Sequence, residues 1–304
     1  MQKILILGNG LVGSAVTSHL ESQSDFQILN LSRLELDLRN PSLIKESFKK
    51  LNPDLVILAA GVVGGIEKNI DEPYILGAEN SQIILNVIRV SMDLGINKVI
   101  NLVPACVYPA NIPRRMKPED LWAGPMETTS LPYSTAKLLG ITLIDAARNQ
   151  FQKDWISIIA TNLYGDDSSI SSHKAHVIPA LLQKFTEAKQ NKDQEITLLG
   201  DGTPIREFLH VDDFASAIGF VLKENLYSKS ILNVSGRSSW QIKELAEIIK
   251  KEVGFNGRVT FANDGKNGAK VKLLDGSVLH NYGWNPKIDL AEGVARVYSN
   301  FGSK

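Results

Sequence analysis

The sequence predicts an α/β protein with a doubly wound parallel sheet and a smaller, interleaved C-terminal domain. Three observations support this fold class. Short runs rich in Val, Ile and Leu alternate with longer segments of helical pattern through the first half of the chain. Those short runs are almost continuously apolar, as expected where helices cover both faces of a sheet. A glycine-rich turn at 8–13 joins the first strand to the first helix.

Taken in order, the alternation predicts strands at 4–7, 27–31, 55–58, 98–103 and 156–160, and helices at 11–21, 41–51, 80–94 and 132–149. These helices are long enough to serve as the crossovers that parallel neighbours require. The alternation then breaks into a polar stretch, a helix from Ile178 and a turn at 200–204. The chain is expected to return to the sheet at 208–223 and 231–234. We therefore expect a sheet domain of residues 1–164 with 205–234, and a second domain of residues 165–204 with 235–304.

Composition limits the classes of protein to consider. The 304 residues include 33 basic and 33 acidic side chains, so the formal net charge is zero, which gives no indication of a nucleic-acid or membrane partner. The single cysteine, Cys106, excludes an internal disulfide. No apolar run approaches the roughly 20 residues that span a bilayer. Because the first strand starts at once and leaves no room for a signal peptide, we expect a cytoplasmic protein; we expect no metal site.

The glycine-rich turn contains Gly8, Gly10, Leu11, Val12 and Gly13. Between a strand and a helix, such glycines allow the backbone to approach a pyrophosphate at the positive helix terminus. A GxGxxG pattern alone is weak, and ordinary turn glycines are the alternative. Its position in a βαβ unit favours the dinucleotide-binding Rossmann interpretation.

The end of the second predicted strand indicates which nicotinamide cofactor is bound. NAD sites usually carry Asp or Glu there for the ribose hydroxyls, but this chain has Ser32 and Arg33. A hydroxyl and a guanidinium can instead bind a 2′-phosphate, which predicts NADP(H). The alternative is that Arg33 is an ordinary solvated surface residue.

Two further segments are expected to lie along the cofactor. Asp37 and Leu38 fall where a chain passing under the adenine would run. The small residues Ala59, Ala60 and Gly61 follow the third strand and would allow the cofactor to pass closely.

Tyr133 and Lys137 are spaced i, i+4 at the start of a predicted helix, which places the phenol and the ammonium on one face. A lysine beside a tyrosine favours the phenolate and allows proton exchange with a ketone or alcohol. An ordinary amphipathic helix is the alternative. The dinucleotide pattern upstream favours the catalytic interpretation.

Over nearly its whole length the chain resembles the extended short-chain dehydrogenases/reductases, and within them the GDP-L-fucose synthase family of GDP-4-keto-6-deoxymannose epimerase/reductases. Besides Tyr133 and Lys137, the resemblance is carried by the motifs at 63–66 (VGGI), 106–109 (CVYP), 161–165 (TNLYG), 176–182 (HVIPALL), 202–213 (GTPIREFLHVDD) and 272–275 (KLLD). It implies NADPH as cofactor, a GDP-linked keto-sugar as substrate and a homodimer that pairs helices near 81–94 and 132–149.

The resemblance also implies residue roles. Cys106 and His176 match the acid/base pair that inverts the sugar at C3 and C5, and Tyr133 matches the residue that assists hydride delivery to the C4 ketone. A thiol and an imidazole suit proton removal from one face of a carbon and return to the other. Without the surrounding motifs, Cys106 would be read as a small buried hydrophobe and His176 as a surface residue. The implied substrate-binding residues are Asn162, Lys184, Arg206 and Lys272.

Two departures from the family pattern leave the exact activity open. The family has Gly-Ser-Ser-Cys where this chain has Val103-Pro104-Ala105-Cys106, so the usual active-site serine is absent. Thr128, Thr129 or Ser130 are candidate substitutes for its hydroxyl. The phosphate loop is also one residue shorter between its first two glycines. The alternatives are a single-activity C4 reductase or epimerase on a related nucleotide-linked keto-sugar, or a non-catalytic NADP- or sugar-nucleotide-binding protein.

Overall fold

The computed structural model describes residues 1–166, 177–263 and 268–301. In chain order, the strands are β1 (Gln2–Leu7), β2 (Phe26–Leu31), β3 (Leu55–Leu58), β4 (Lys98–Pro104), β5 (Arg115–Met116), β6 (Asp154–Ala160), β7 (Asn162–Tyr164), β8 (Glu195–Leu198), β9 (Ile205–His210), β10 (Ile231–Val234), β11 (Ser239–Gln241), β12 (Arg258–Phe261) and β13 (Val271–Leu274). The helices are α1 (Leu11–Glu21), α2 (Pro41–Leu51), α3 (Ile66–Asp71), α4 (Pro73–Asp93), α5 (Leu131–Phe151), α6 (Val177–Asn191), α7 (Val211–Lys223), α8 (Ile242–Val253), α9 (Ser277–Asn281) and α10 (Leu290–Phe301).

The main sheet of the described chain has the strand order β2-β1-β3-β4-β6-β10, and every pair in it is parallel. The chain passes from β1 to β2 on one side and then to β3 on the other. The order of strands therefore reverses between β1 and β3. Ligands of doubly wound sheets bind in the crevice outside the carboxyl ends of the strands at this reversal. The arrangement confirms the predicted fold class.

Helices cover both faces of the main sheet. Along β1, Ile4 and Ile6 belong to the core that includes α1 and α7, whereas Leu5 and Leu7 belong to the core that includes α2, α4 and α5. All four side chains are fully buried. Because successive strand residues point to opposite faces, burial on both sides requires the continuous apolar run seen in the sequence.

A second layer is built mainly from the C-terminal half. Within the described residues, β11, β9, β13 and β5 form a sheet in that order, β7 also pairs with β9, and β8 pairs with β12. A separate apolar core, including Leu182, Phe185, Leu245 and Val294, joins α6, α8 and α10. The segments that follow β4 and β6 join this second layer through β5 and β7.

The observed elements differ from expectation in two places. The third crossover helix, predicted at 80–94, begins earlier, at Pro73. The apolar pattern does not reveal its first turns, because Gly77 interrupts it and Tyr74 and Ile75 are exposed. A Cβ at Gly77 would lie 3.0 Å from Cβ of Pro132, so the glycine allows α4 and α5 to approach. The stretch expected to return to the main sheet at 208–223 begins in β9, which belongs to the second layer, and continues as α7, which packs against α1 on one face of the main sheet.

The predicted domain boundaries remain a prediction. Of the helices that the structure describes, none is long and apolar enough to cross a membrane.

Candidate functional site

The loop between β1 and α1 is crowded on its protein side and open on the other. Gly8 has a φ of +106°, and a Cβ there would lie 2.9 Å from backbone atoms of Ala60. A Cβ at Gly13 would lie 1.9 Å from the carbonyl oxygen of Gly8. At Gly10, by contrast, a Cβ would meet no described atom within 4 Å. The loop therefore fits the pyrophosphate of a dinucleotide, which would lie at the N-terminal amides of α1 from Leu11 onward.

Asn30 holds this loop from the neighbouring strand. Its Nδ2 donates to the carbonyl of Gly8 at 3.1 Å and to Oγ1 of Thr17 at 2.8 Å. Sequence reasoning assigned Asn30 no role, although it stands at the end of β2 where a cofactor-binding acid was sought. Its side chain supports the loop instead.

The residues predicted to select NADP lie just beyond β2. The backbone N–H of Ser32 donates to Oε2 of Glu35 at 2.8 Å, and this hydrogen bond lowers the pKa of Glu35. The side chain of Arg33 is exposed. An exposed guanidinium next to an ordered turn is available to an approaching phosphate.

The segment predicted to run under the adenine is fixed to α4. Asp37 forms an ion pair with Arg39, 2.6 Å between carboxylate and guanidinium, and Arg39 also binds Glu79 at 3.0 Å. The pKa of Asp37 falls to about 2, mainly because of its hydrogen bonds from Arg39. The Leu38 side chain is buried, and its carbonyl accepts a hydrogen bond from Asn86 at 3.0 Å. Leu38 is therefore placed to meet a ligand through its backbone only.

The loop after β3 links the cofactor region to the catalytic helix. A Cβ at Gly13 would lie 3.6 Å from Cβ of Ala59. A Cβ at Gly61 would lie 2.8 Å from Oδ1 of Asn80 and 3.2 Å from Nζ of Lys137. Asn80 is fully buried; its Nδ2 donates to the carbonyls of Val62 and Leu76. Sequence reasoning missed Asn80, because an asparagine inside a helical pattern does not reveal its partner.

Tyr133 and Lys137 lie on the first turns of α5, with the Lys137 ammonium 5.9 Å from the centre of the tyrosine ring. Lys137 is 4% exposed. Burial lowers its pKa to about 8, and burial also raises the pKa of the Tyr133 phenol, with a further increase from Cys106. The tyrosine is therefore protonated at neutral pH, whereas the lysine ammonium starts to lose its proton as the pH approaches about 8.

Cys106 lies in a 3₁₀ turn, Ala105–Val107, directly after β4, and this turn packs against α5. Burial raises the pKa of the Cys106 thiol. The nearby Ser134 side chain and the charges of Lys272 and Lys137 lower the pKa of the thiol in part. The structure thus brings the predicted thiol, phenol and ammonium together at the carboxyl end of β4. Its predicted partner His176 lies outside the described residues.

A group of paired charges adjoins the thiol. Nζ of Lys272 lies 3.3 Å from Oε2 of Glu127, and these side chains are only 11% and 22% exposed. The charge of Glu127 also raises the pKa of Arg206, although burial, the larger effect, lowers it. Two predicted substrate-binding cations therefore share one carboxylate. Sequence reasoning missed Glu127, since its partner Lys272 lies 145 residues away in the chain.

The other two predicted substrate-binding residues form bonds within the protein. Asn162 donates its Nδ2 to the carbonyl of Glu207 at 2.8 Å, between β7 and β9. Lys184, on α6, donates to the carbonyl of Thr197 at 2.6 Å. Among the described residues, no recorded contact joins Lys184 to Glu127 or to its partners Lys272 and Arg206.

A glycine loop at the strand reversal, next to a buried tyrosine–lysine pair, defines a nicotinamide-dependent enzyme of carbonyl–alcohol chemistry. The chain belongs to the NAD dependent epimerase/dehydratase family, whose model matches residues 4–235. Family membership confirms the resemblance drawn from the motifs.

The chain matches several known proteins over nearly its whole length. The chain is 37% identical to the GDP-L-fucose synthase of Escherichia coli K12, covering 99% of this chain and 96% of that protein. It is also 37% identical to GDP-L-fucose synthase 1 of Arabidopsis thaliana, over 97% and 92%. Among solved structures, it is 28% identical to MlghC, a GDP-mannoheptose C4 reductase from Campylobacter jejuni with NADP bound, with a TM-score of 0.87 over 99% and 98% of the two chains.

Proposed function

We propose that the chain is an NADPH-dependent epimerase/reductase that converts a GDP-4-keto-6-deoxyhexose into the reduced, inverted sugar. One observation carries the proposal: Tyr133, Lys137 and Cys106 meet at the carboxyl end of β4. Reduction needs the phenol and the ammonium, and epimerisation needs the thiol. The GDP-L-fucose synthases to which the chain is similar support the choice of substrate.

Reduction of the C4 ketone uses a proton from Tyr133. Its raised pKa keeps the phenol protonated at neutral pH, so it can donate a hydrogen bond to the ketone and then a proton to the developing alkoxide. NADPH, when bound, supplies the hydride. The Lys137 ammonium lies beside the tyrosine ring and stabilises the phenolate left behind.

Ser32 and Arg33 favour NADPH over NADH. Both follow β2, where the ribose carrying the 2′-phosphate would lie, and neither carries a negative charge that would repel it. The NADP-bound Campylobacter structure is in accord with this choice.

Epimerisation uses Cys106 on one face of the sugar ring and His176 on the other. Inversion beside a ketone requires proton removal from one face and return to the opposite face. The nearby ammonium groups of Lys137 and Lys272 stabilise the thiolate form of Cys106. His176 enters from the resemblance alone.

Arg206 and Lys272 bind the diphosphate of the nucleotide. Asn162 and Lys184 enter as substrate-binding residues from the resemblance alone, since their side chains form hydrogen bonds within the protein. In the free protein, Glu127 offsets the charges of the first two. A diphosphate would compete with this carboxylate for the two cations. Substrate entry therefore involves an exchange of partners at Lys272.

A single-activity enzyme is the second candidate. Pro104 and Ala105 replace the serines that the family carries before the cysteine, and the similar Campylobacter protein is a C4 reductase. Loss of a hydroxyl that stabilises charge at a carbonyl costs about 2–4 kcal/mol of transition-state stabilisation.

Incubation with GDP-4-keto-6-deoxymannose in deuterated water, with and without NADPH, separates these functions. The proposal expects NADPH oxidation together with deuterium entry at C3 and C5. Oxidation alone would indicate a C4 reductase, and exchange alone an epimerase. Cofactor binding without either reaction on any keto-sugar would indicate a non-catalytic binding protein.

We place the enzyme in the cytoplasm as a homodimer. A reducing compartment keeps the thiol of Cys106 available. For the dimer, α4 and α5 lie side by side and leave apolar residues exposed, including Tyr74, Leu85 and Leu131. A second copy would cover this surface. Leu85→Glu should halve the mass measured by light scattering; a wild-type protein of monomer mass would refute the assignment.

A further inference from the structure

The carboxylate of Glu127 is held at both of its oxygens. Oε2 accepts a hydrogen bond from Nζ of Lys272 at 3.3 Å, and Oε1 accepts one from Oγ1 of Thr129, also at 3.3 Å. The Lys272 and Glu127 side chains are largely shielded from water. Shielding strengthens the attraction between opposite charges. The carboxylate therefore has a fixed position in the free protein.

Arg206 borders the same position from the neighbouring strand. In the parallel pair β9 and β13, Arg206 lies directly opposite Lys272. A Cβ at Gly268 would lie 3.1 Å from Oε1 of Glu127 and 3.7 Å from Nη2 of Arg206, so the glycine leaves room for both groups. Lys272 and Arg206, which we call the cation pair, thus flank one carboxylate. Ammonium and guanidinium groups are equally suited to phosphate oxygens.

The backbone around Glu127 is tied down on both sides. Met126 pairs with Pro109, and the N–H of Ser130 donates to the Glu127 carbonyl at 3.3 Å. The carboxylate can therefore leave the cation pair by rotation of its own side chain. A tethered group competes with a free ligand as though it were present at millimolar concentration or above. Glu127 is such a tethered competitor.

We propose that Glu127 is a specificity-determining residue: it occupies the cation pair as an internal counterion, keeps inorganic phosphate and pyrophosphate out, and yields to the diphosphate of a sugar nucleotide. Every anion must displace the carboxylate, which weakens the binding of each. A sugar nucleotide offsets this loss through contacts of its base and sugar, whereas a small anion has no such contacts. The proposal rests on the diphosphate-binding role proposed for Arg206 and Lys272.

The same competition acts on the product. The reduced sugar nucleotide still carries its diphosphate, so the return of Glu127 to Lys272 favours product release. Removal of the carboxylate charge should therefore lower both KM and the rate of release.

Glu127→Gln tests the proposal, because it keeps the shape of the side chain and removes its charge. Titration calorimetry with saturating NADP⁺, which fills the glycine loop, compares GDP, pyrophosphate and guanosine in a buffer without phosphate. The Kd values for GDP and for pyrophosphate should each fall about tenfold, as expected when charge-assisted bonds no longer have to be broken. The Kd for guanosine should not change, since guanosine carries no phosphate.

Glu119→Gln is the matched control. It makes the same change of charge in the same loop, at an exposed side chain for which the described residues record no ion pair. All three Kd values should stay at their wild-type level. Glu127→Asp keeps a carboxylate with a shorter reach, so its Kd values should shift less than those of Glu127→Gln and in the same direction. That variant decides if Glu127→Gln does not fold.

Inhibition of NADPH oxidation gives an independent readout. Millimolar pyrophosphate should inhibit Glu127→Gln and leave the wild-type enzyme active. A folded Glu127→Gln that binds GDP and pyrophosphate no more tightly than wild type would overturn the proposal, and weaker binding would make Glu127 a substrate ligand instead. A wild-type protein that binds no GDP would contradict the GDP-linked substrate. Tighter pyrophosphate binding by Glu127→Gln would still support the counterion role in that case.

Discussion

The contact between Gly13 and Gly8 predicts that Gly13→Ala destabilises the protein, against the ordinary preference of helices. In a helix, Gly→Ala normally stabilises by about 1 kcal/mol. Here the new Cβ would lie 1.9 Å from the carbonyl oxygen of Gly8. Relief requires α1 to move away from the loop, and overpacking of this kind costs about 1–3 kcal/mol. We therefore expect a lower free energy of unfolding.

Gly10→Ala is the matched control, because a Cβ at Gly10 would meet no described atom within 4 Å. Calorimetry of the cofactor-free proteins should show a Tm about 2–10 °C lower for Gly13→Ala and a nearly unchanged Tm for Gly10→Ala. Titration calorimetry with NADPH should show weakened binding for both, since Gly10 faces the open side of the loop. A Gly13→Ala protein as stable as wild type would refute the packing argument.

Three further predictions concern other parts of the site. Burial lowers the pKa of Lys137 to about 8, so the ammonium is lost as pH rises; kcat/KM for NADPH oxidation, measured from about pH 6 to 10, should fall above about pH 8. Asn80→Ala removes the side-chain hydrogen bonds that Asn80 makes with the N–H and the carbonyl of Val62; urea unfolding should show a loss of about 1–3 kcal/mol, and an unchanged stability would contradict the assigned bonds. Arg33→Ala should raise the Kd for NADPH about tenfold or more and leave that for NADH unchanged, because only NADPH carries the 2′-phosphate; equal effects on both would assign Arg33 no part in the choice.

The sequence predicts the sheet well because its evidence is local. Four-residue strands buried on both faces are continuously apolar, and α1 and α2 have the predicted bounds. The local sequence does not indicate to which layer β9 belongs, because Phe208 and Leu209 are equally suited to either sheet. Its pairing with β11 and β13 places β9 in the second layer.

The same contrast between local signals and contacts of distant elements applies to the candidate site. Glycines and the tyrosine–lysine pair are recognisable because their spacing along the chain carries their chemistry. Glu127 acts through a partner on another element, Lys272, which is 145 residues away. Only the folded chain shows that Glu127 joins Lys272.

The phenol and the ammonium of the site share one support. Tyr133 and Lys137 both lie on the first turns of α5. That helix is fixed by apolar packing, since Ile144 and Ala147 lie in the core with α4 and the sheet. A rigid, buried helix holds both groups in one geometry, as proton transfer to a ketone requires. Replacement of the serines by Pro104 and Ala105 at the end of β4 therefore leaves the support of the phenol and the ammonium intact.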